Sequence, residues 1–277
     1  MAERASFADK TPAAGGLNIP DPLSIPSLRD AVSDAEWRAR VDLAACYRLV
    51  SLYGWDDLVH THISARLPDE GGAPRFLLNP YGVFFDEMTA SSLVKVDEKG
   101  APVGDTPYFT NPAGFVIHSA VHGARDDAHC VLHLHTPFGV AVSAQAGGLK
   151  RLTQFAMIVG DDVAYHAYEG LATDLEERAR LIADLGDKSF FILRNHGTLT
   201  LGENPAIAFA RAHFLEQACR AQIYAQSDRE PPIEESAEMA ALVQRQAMAA
   251  FTPGLGDALI WPGLLRRLER ANPGYDQ

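Results

Sequence analysis

The spacing of apolar residues along the chain predicts several amphipathic helices. Apolar positions recur at helical spacing over residues 34–53, and Ser33 followed by Glu36 has the pattern of a capping box at the start of this helix. Thr173 with Glu176 predicts another capped helix, which ends at Gly186. Three dipeptides combine an N-cap residue with a first-turn proline and so predict further helix starts. They are Asn111–Pro112, Thr136–Pro137 and Asn204–Pro205.

Short apolar or alternating segments between these helices predict β-strands. The early ones, within 58–67, 75–79 and 92–97, are separated by turns rich in Pro and Gly and are typical of a sheet meander. The later ones, within 128–135 and 188–195, alternate with helices. This arrangement predicts an α/β fold of three layers, α/β/α, with a central mixed or antiparallel sheet.

The pattern also suggests how the chain is divided. Residues 1–30 are interrupted by Pro and Gly and are expected to form an extended arm over the domain or over a neighbouring subunit. Residues 31–230 would form one domain. Residues 231–277 are expected to form a peripheral helical tail.

Composition excludes some functions. The formal net charge of −12 and the pI of about 5.2 argue against a nucleic-acid-binding protein and favour a small-molecule partner. Three scattered cysteines indicate a reducing compartment, so we expect a cytoplasmic protein. Apolar runs do not approach the ~20 residues of a membrane span.

The segment 131–136, VLHLHT, places two histidines in an apolar strand. Side chains alternate along a strand, so His133 and His135 point to the same side with Cβ atoms about 7 Å apart. His196, in RNHGT, follows another strand and precedes a glycine. Three neutral imidazoles with an open position suit a catalytic Zn²⁺, Mn²⁺ or Fe²⁺ site. Alternatively, His133 and His135 are core histidines bonded to backbone carbonyls.

Three motifs resemble the class II aldolase/adducin family in order and separation: GWDDLVHTHISARLP, HCVLHLHTPFGVAVSA and FFILRNHGTLTLG. The similarity covers about residues 35–225. It implies a class II aldolase-like α/β/α domain, and His133, His135 and His196 as ligands of one divalent ion per subunit. We expect zinc, with manganese or iron as alternatives. The resemblance also implies a homotetramer with the site at a subunit interface.

The chain departs from the sugar-phosphate aldolases of that family. A Ser-Ser-Glu run opens the helix before the HxH strand in those enzymes, and its Glu is the acid/base. The matching positions here are Pro112, Ala113 and Gly114. His62 replaces a phosphate-binding Asn. The phosphate site is therefore absent, and a sugar phosphate is not the expected substrate.

Other residues are candidates for the pocket. Asn79, Tyr81 and Gly82 match the turn that lines the substrate pocket of relatives, so they join His62 and Gly114 as substrate-binding candidates, although Tyr81 could equally be packing. His62 could donate to a substrate carboxylate, whereas a second metal site with His60 is a weaker alternative.

The missing glutamate leaves the catalytic acid/base open. His118 lies one helical turn after Gly114 and could approach the vacated space, or could instead orient a neighbouring ligand or the helix. Glu169, with Tyr168 beside it, is the candidate replacement because the matching loop of relatives runs close to the metal. Alternatively, this segment only caps the following helix.

These residues support three hypotheses. The first is a metal-dependent lyase, of aldolase or decarboxylase type, acting on a small hydroxy- or oxo-carboxylic acid; decarboxylation suffers least from loss of the glutamate because it removes no C–H proton. The second is a non-heme iron oxygenase that shortens a hydroxyphenylpyruvate-like acid in an antibiotic pathway. The third is a non-catalytic, adducin-like interaction module.

Overall fold

The computed structural model describes residues 19–68, 72–170, 176–251 and 254–277. Seven strands in these ranges form one mixed sheet in the order β3-β2-β1-β4-β7-β6-β5, in which only β5 and β6 pair in parallel. The strands are β1 His62–Arg66, β2 Phe76–Leu78, β3 Val94–Val96, β4 Cys130–Leu134, β5 Val163–His166, β6 Phe190–Leu193 and β7 Gly197–Gly202. The predicted mixed α/β sheet is confirmed.

The predicted helices are also present where they can be assessed. The eight α-helices of the described ranges are α1 Asp34–Leu52, α2 Pro112–Ala124, α3 Pro137–Ser143, α4 Gln154–Val159, α5 Glu177–Leu185, α6 Pro205–Gln226, α7 Ala237–Phe251 and α8 Trp261–Ala271. The side chains of Ser33, Thr136 and Asn204 accept hydrogen bonds from the first turns of α1, α3 and α6, as predicted. Thr173, the predicted cap of α5, lies outside the described residues.

Helices cover both faces of the sheet. On one face, Ile117 and Val121 of α2 and Leu181 of α5 pack against the sheet in one apolar cluster. On the other face, α1, α6 and α8 pack in a larger cluster, the main cluster, which includes Leu132 and Leu134 of β4. Along β4, therefore, even-numbered residues contact the larger cluster, and Val131 faces α2 and α5. His133 and His135, which share its parity, lie on the α2 side.

The C-terminal segment contains the helices α7 and α8, but the expectation that it is peripheral is wrong for α8. Trp261, Leu264 and Leu268 of α8 are buried in the main cluster against α1 and α6. The indole Nε1 of Trp261 donates to Asp42 Oδ1 at 3.0 Å, and the carbonyl of Gln277 accepts from Ser91 N. An amphipathic face must be covered by another element, and here α1 provides that surface.

Part of the predicted N-terminal arm lies within the described residues. Within the described residues, Ile19 and Ile25 pack against the main cluster and the carbonyl of Pro20 accepts from the Tyr108 hydroxyl at 3.1 Å, so this part of the arm lies over the domain. Residues 1–18 lie outside the described ranges.

Among the helices described, none has the length and apolar character that a membrane crossing requires.

Candidate metal centre

Three imidazoles meet at one end of the sheet. The rings of His133, His135 and His196 have centroids 4.8 to 4.9 Å apart, and one nitrogen from each lies within 4.8 Å of the other two. His133 lies at the penultimate position of β4, and His135 follows that strand by one residue. The two rings therefore project from the same face, as predicted from the alternation of side chains along a strand.

The third ring comes from a tight turn between β6 and β7. Asn195 adopts a left-handed conformation, with φ of 55°, which turns the chain back after β6. Gly197 then lies so close to β4 that a Cβ atom there would be 2.6 Å from the Leu134 carbonyl oxygen. Because glycine has no side chain, β7 can pair beside β4 and bring His196 next to His135.

The hydrogen bonds of the rings orient them for a metal ion. Nδ1 of His133 donates to the Thr198 carbonyl at 3.1 Å, and Nδ1 of His135 donates to Asp57 Oδ2 at 2.9 Å. These bonds leave Nε2 of both rings as the ligand atoms. Nε2 of His135 is buried and has no hydrogen-bond partner among the described residues. A buried nitrogen without a hydrogen-bond partner is suited to coordinate a metal ion.

The electrostatic environment keeps these rings in the form that binds metals. Burial lowers the pKa of His133 well below its ordinary value, and the neighbouring His196 lowers it further. Burial also lowers the pKa of His196 to about 4. Both rings are therefore neutral near pH 7 and offer lone pairs. The donor set of three imidazoles fits a divalent transition-metal ion.

His62 and Gly114 lie together beside the three histidines. Register pairs His62 of β1 with His133 of β4, and the two ring centroids are 5.4 Å apart. The His62 ring also lies against Gly114 in α2, where it occupies the space that any side chain at position 114 would need. His118, one turn further along α2, has its ring centroid 4.4 Å from that of His62. His62, Gly114 and His118 are thus contiguous with the centre.

The turn that contains the other predicted pocket residues makes contacts within the fold. Asn79 is buried, and the Tyr47 hydroxyl lies 3.0 Å from its Oδ1 and accepts from its backbone N–H. The Tyr81 ring contacts Phe109, and Gly82 has a φ of 97°. Their roles in substrate binding stay predictions.

Tyr168 and Glu169 share a small cleft with His196. The carboxylate of Glu169 is held by the guanidinium of Arg180, and this bond lowers the Glu169 pKa. Glu169 is consequently ionised near neutral pH, where it can accept a proton but not donate one. Tyr168 is exposed beside it. An acid/base role for either side chain remains a prediction.

Two residues of this region were not among the sequence-based candidates. Asp57 holds His135, and Ser64 of β1 lies between two histidines of α2, 2.6 Å from His118 Nδ1 and 2.7 Å from His122 Nε2. Ser64 could have been found from the sequence, because it shares a strand face with His62. Asp57 lies on a loop whose path the sequence does not determine.

A large cavity lies elsewhere in the described part of the chain. It has a volume of about 820 Å³ and is situated at the opposite end of β1, where Leu67, Arg75 and Lys95 line it. Size alone therefore does not identify the chemical site in this fold.

Comparison with known proteins agrees with this geometry. The family model for the class II aldolase and adducin N-terminal domain matches residues 41–223. The chain belongs to the class II aldolase/adducin family. In solved structures, it resembles an aldolase II superfamily protein from Pseudomonas syringae, with 50% identity, a TM-score of 0.85, and coverage of 91% of this chain and 100% of that one. The family predicted from the sequence motifs is confirmed.

Relatives in the family differ in the activities that their names state. A Caulobacter vibrioides protein with the provisional name of an aldolase class 2 protein is 54% identical over 90% of this chain and 96% of its own length. Mouse alpha-adducin is 45% identical over 70% of this chain, which spans only 26% of that protein. An L-fuculose 1-phosphate aldolase from Glaciozyma antarctica is 27% identical, with a TM-score of 0.73 and coverage of 92% and 95%.

Proposed function

We propose that this protein is a divalent-metal-dependent lyase that cleaves a carbon–carbon bond of a small hydroxy- or oxo-carboxylic acid, by aldol-type cleavage or by decarboxylation. The observation that carries the proposal is the convergence of His133, His135 and His196, with Nδ1 of the first two already engaged by protein acceptors. A sugar phosphate is a poor candidate, because Pro112, Ala113 and Gly114 supply no hydroxyl at the start of α2.

The protein's own residues would contribute by orienting the ligating histidines and by transferring protons. A divalent ion on the three imidazoles supplies a Lewis acid that stabilises negative charge on a substrate oxygen. Asp57 fixes the tautomer and the orientation of His135, and Thr198 does the same for His133. In decarboxylation the electrons of the broken bond move into the carbonyl system, and a proton must then reach carbon. In aldol cleavage a base must also remove the hydroxyl proton.

We assign the proton-transfer roles to groups beside His196. Glu169 and Tyr168 share the cleft of His196, and the ionised Glu169 carboxylate is a group there that can accept the hydroxyl proton in aldol cleavage. His118 lies behind His62. We further propose zinc as the ion and a homotetramer with its site at a subunit interface, on the strength of the family resemblance. The three scattered cysteines support a cytoplasmic location.

A parallel product screen tests the lyase proposal. Zinc-, manganese- and iron-loaded protein is incubated with a panel of hydroxylated aromatic carboxylates, hydroxy acids and 2-oxo acids, while CO₂, aldehyde and O₂ are monitored. We expect CO₂ or aldehyde release without O₂ consumption, and loss of turnover in His133→Ala. Turnover that consumes O₂ stoichiometrically, or that persists in His133→Ala, would refute the proposal.

A second candidate function is a non-catalytic interaction module, and the 45% identity to a segment of mouse alpha-adducin favours it. Such a module needs no metal for its role. Stoichiometric metal binding with turnover selects the lyase, whereas a pure protein that binds none of the three metals and turns over no acid selects the module.

A further inference from the structure

A buried row of polar side chains runs along the α2 face of β1, away from the three-histidine centre. Ser64 Oγ lies 2.6 Å from His118 Nδ1 and 2.7 Å from His122 Nε2, and His122 Nδ1 lies 2.6 Å from the carbonyl oxygen of Ala128. Ser64, His118 and His122 are at most 1% exposed. We call these three residues the histidine–serine chain.

The last acceptor determines the direction of every bond in this chain. A carbonyl oxygen can only accept, so Nδ1 of His122 must carry a hydrogen. Burial lowers the pKa of His122 to about 3, so this ring is neutral and its Nε2 must accept the Ser64 hydroxyl hydrogen. The serine has no second hydrogen, and its oxygen must therefore accept from Nδ1 of His118.

The same assignment of hydrogens leaves a ring nitrogen without hydrogen at the His118 end of the histidine–serine chain. Burial lowers the pKa of His118 well below its ordinary value, so its ring carries one hydrogen, and that hydrogen is on Nδ1. Its Nε2 is then a pure acceptor, buried and without a hydrogen-bond partner among the described residues. An unsatisfied buried acceptor destabilises the folded state.

His62 is the neighbour that can satisfy this acceptor. Its ring centroid is 4.4 Å from that of His118, and both of its own nitrogens are buried without partners in the described part of the chain. Pairing of one His62 N–H with His118 Nε2 requires the His62 ring to rotate. A cation buried among other imidazoles is disfavoured, so the His62 ring is neutral and has a single hydrogen, and its other nitrogen is left without hydrogen beside His133.

We infer that the histidine–serine chain positions His62 so that its unprotonated nitrogen faces the three-histidine centre and accepts a hydrogen bond from a substrate hydroxyl. This inference rests on the proposed function and narrows its substrate class to acids that carry a hydroxyl group, with or without an oxo group. It also reverses the direction expected from the sequence, in which His62 donates to a substrate carboxylate. His118, Ser64 and His122 are positioning residues, since they act through His62.

Nitrogen NMR of the histidine rings tests the chain directly, with or without metal. In protein labelled with ¹⁵N-histidine, two-bond ¹⁵N–¹H spectra report which nitrogen of each ring carries hydrogen. We expect hydrogen on Nδ1 in both His118 and His122, and in Ser64→Ala we expect His118 to lose its fixed Nδ1–H form. A hydrogen on Nε2 of His118 in the unaltered protein overturns the inference, even if Ser64→Ala fails to fold.

The matched control is Ser92→Ala. Ser92 is as fully buried as Ser64, and its hydroxyl donates to the Thr89 carbonyl instead of to a histidine. We expect this variant to keep the tautomers of His118 and His122. Tautomers that change equally in both variants would mean that Ser64 acts only through general stability and would overturn the positioning role.

A pair of small probes tests what His62 accepts. Glycolate offers a hydroxyl hydrogen and methoxyacetate does not, while both carry a carboxylate. Each compound is added to zinc-loaded protein at concentrations up to its solubility. We expect glycolate to move the ¹⁵N chemical shift of the unprotonated His62 nitrogen in the direction of hydrogen-bond acceptance. We expect methoxyacetate to leave that chemical shift unchanged. Equal shifts, or no shift with glycolate, overturn the acceptor role.

Failure of the lyase proposal would be visible separately. If no acid is turned over but the tautomers are as expected, the hydrogen bonds of the histidine–serine chain are confirmed and the proposed lyase activity is refuted. If turnover is found, Ser64→Ala is expected to lower kcat at least tenfold and to keep its metal content, with KM changing less. An unchanged kcat in a folded Ser64→Ala variant would overturn the positioning role while the lyase proposal stands.

Discussion

Asp57 Oδ2 accepts a hydrogen bond from His135 Nδ1 at 2.9 Å, and this bond turns Nε2 of His135 toward the other two rings. A carboxylate behind a ligating histidine typically contributes a factor of about 10–100 to metal affinity. We therefore expect Asp57→Ala to weaken zinc binding by about that factor, as measured by competition with a chromogenic chelator.

Asp56→Ala is the control for this variant. Asp56 is the adjacent carboxylate, and its Oδ2 accepts from the Ser51 hydroxyl at 3.2 Å instead of from a metal-site ring. We expect its zinc affinity to match that of the unaltered protein. Equal affinity in both variants would show that Asp57 does not support His135.

The contact between Gly114 and His62 predicts a strong energetic coupling. A methyl group at position 114 would collide with the buried His62 ring, so Gly114→Ala should lower the free energy of unfolding by about 1–3 kcal/mol. In the double variant with His62→Ala the collision is gone, and urea unfolding should give a coupling energy of about 0.5–3 kcal/mol.

Gly123→Ala provides the matched control on the same helix. A Cβ atom at Gly123 would meet nothing within 4 Å, so alanine there should be neutral or stabilise α2 by up to about 1 kcal/mol. Strictly additive effects of Gly114→Ala and His62→Ala would contradict the packing described.

Stability of the metal-free protein should fall as the solution becomes acidic. Burial lowers the pKa of His62 and of His196 from 6.5 to about 4. Between these values the unfolded chain binds more protons than the folded chain, so the free energy of unfolding decreases as pH drops from about 6.5 to 4. The slope is at most about 1.4 kcal/mol per pH unit for each ring.

Urea unfolding at pH 7, 6 and 5 in the presence of a chelator measures this slope. We expect a shallower dependence in His62→Gln, which lacks one of the titrating rings. A free energy of unfolding that stays constant from pH 7 to pH 5 is the result that would count against neutral, buried imidazoles.

The burial of α8 predicts that the C-terminal segment contributes to global stability. Leu268 has no exposed surface in the main cluster, and Leu268→Ala should cost about 2–5 kcal/mol in denaturant unfolding. Leu259 is 71% exposed, and Leu259→Ala should stay within about 0.5 kcal/mol of the unaltered protein. Equal midpoints for the two variants would place α8 outside the core.

The elements that the sequence predicts are those with a strong local signal. Alternation in VLHLHT is enough to put His133 and His135 on one face, and Thr136 and Asn204 mark helix starts by their own side-chain chemistry. The third ligand followed from a strand end and a glycine. The three imidazoles indicated a metal site, and the family resemblance then implied the same three ligands.

Features that depend on distant partners were missed. Strand β7, GTLTLG, has small and polar residues and pairs with β4 and β6 only because Gly197 permits close approach. The spacing of Trp261, Leu264 and Leu268 does indicate a helical face, but nothing local says that α1 covers it. Likewise, the bond between Asp57 and His135 joins residues 78 positions apart.

X-ray absorption spectroscopy of zinc-loaded protein tests the central claim most directly, because it counts the ligands of the ion and identifies their type. The account predicts one zinc per chain with three imidazole nitrogens at about 2.0–2.1 Å and one additional light-atom ligand, and a loss of one imidazole in His196→Ala. A site with fewer than three imidazoles, a sulfur ligand, or an unchanged spectrum in His196→Ala would contradict it.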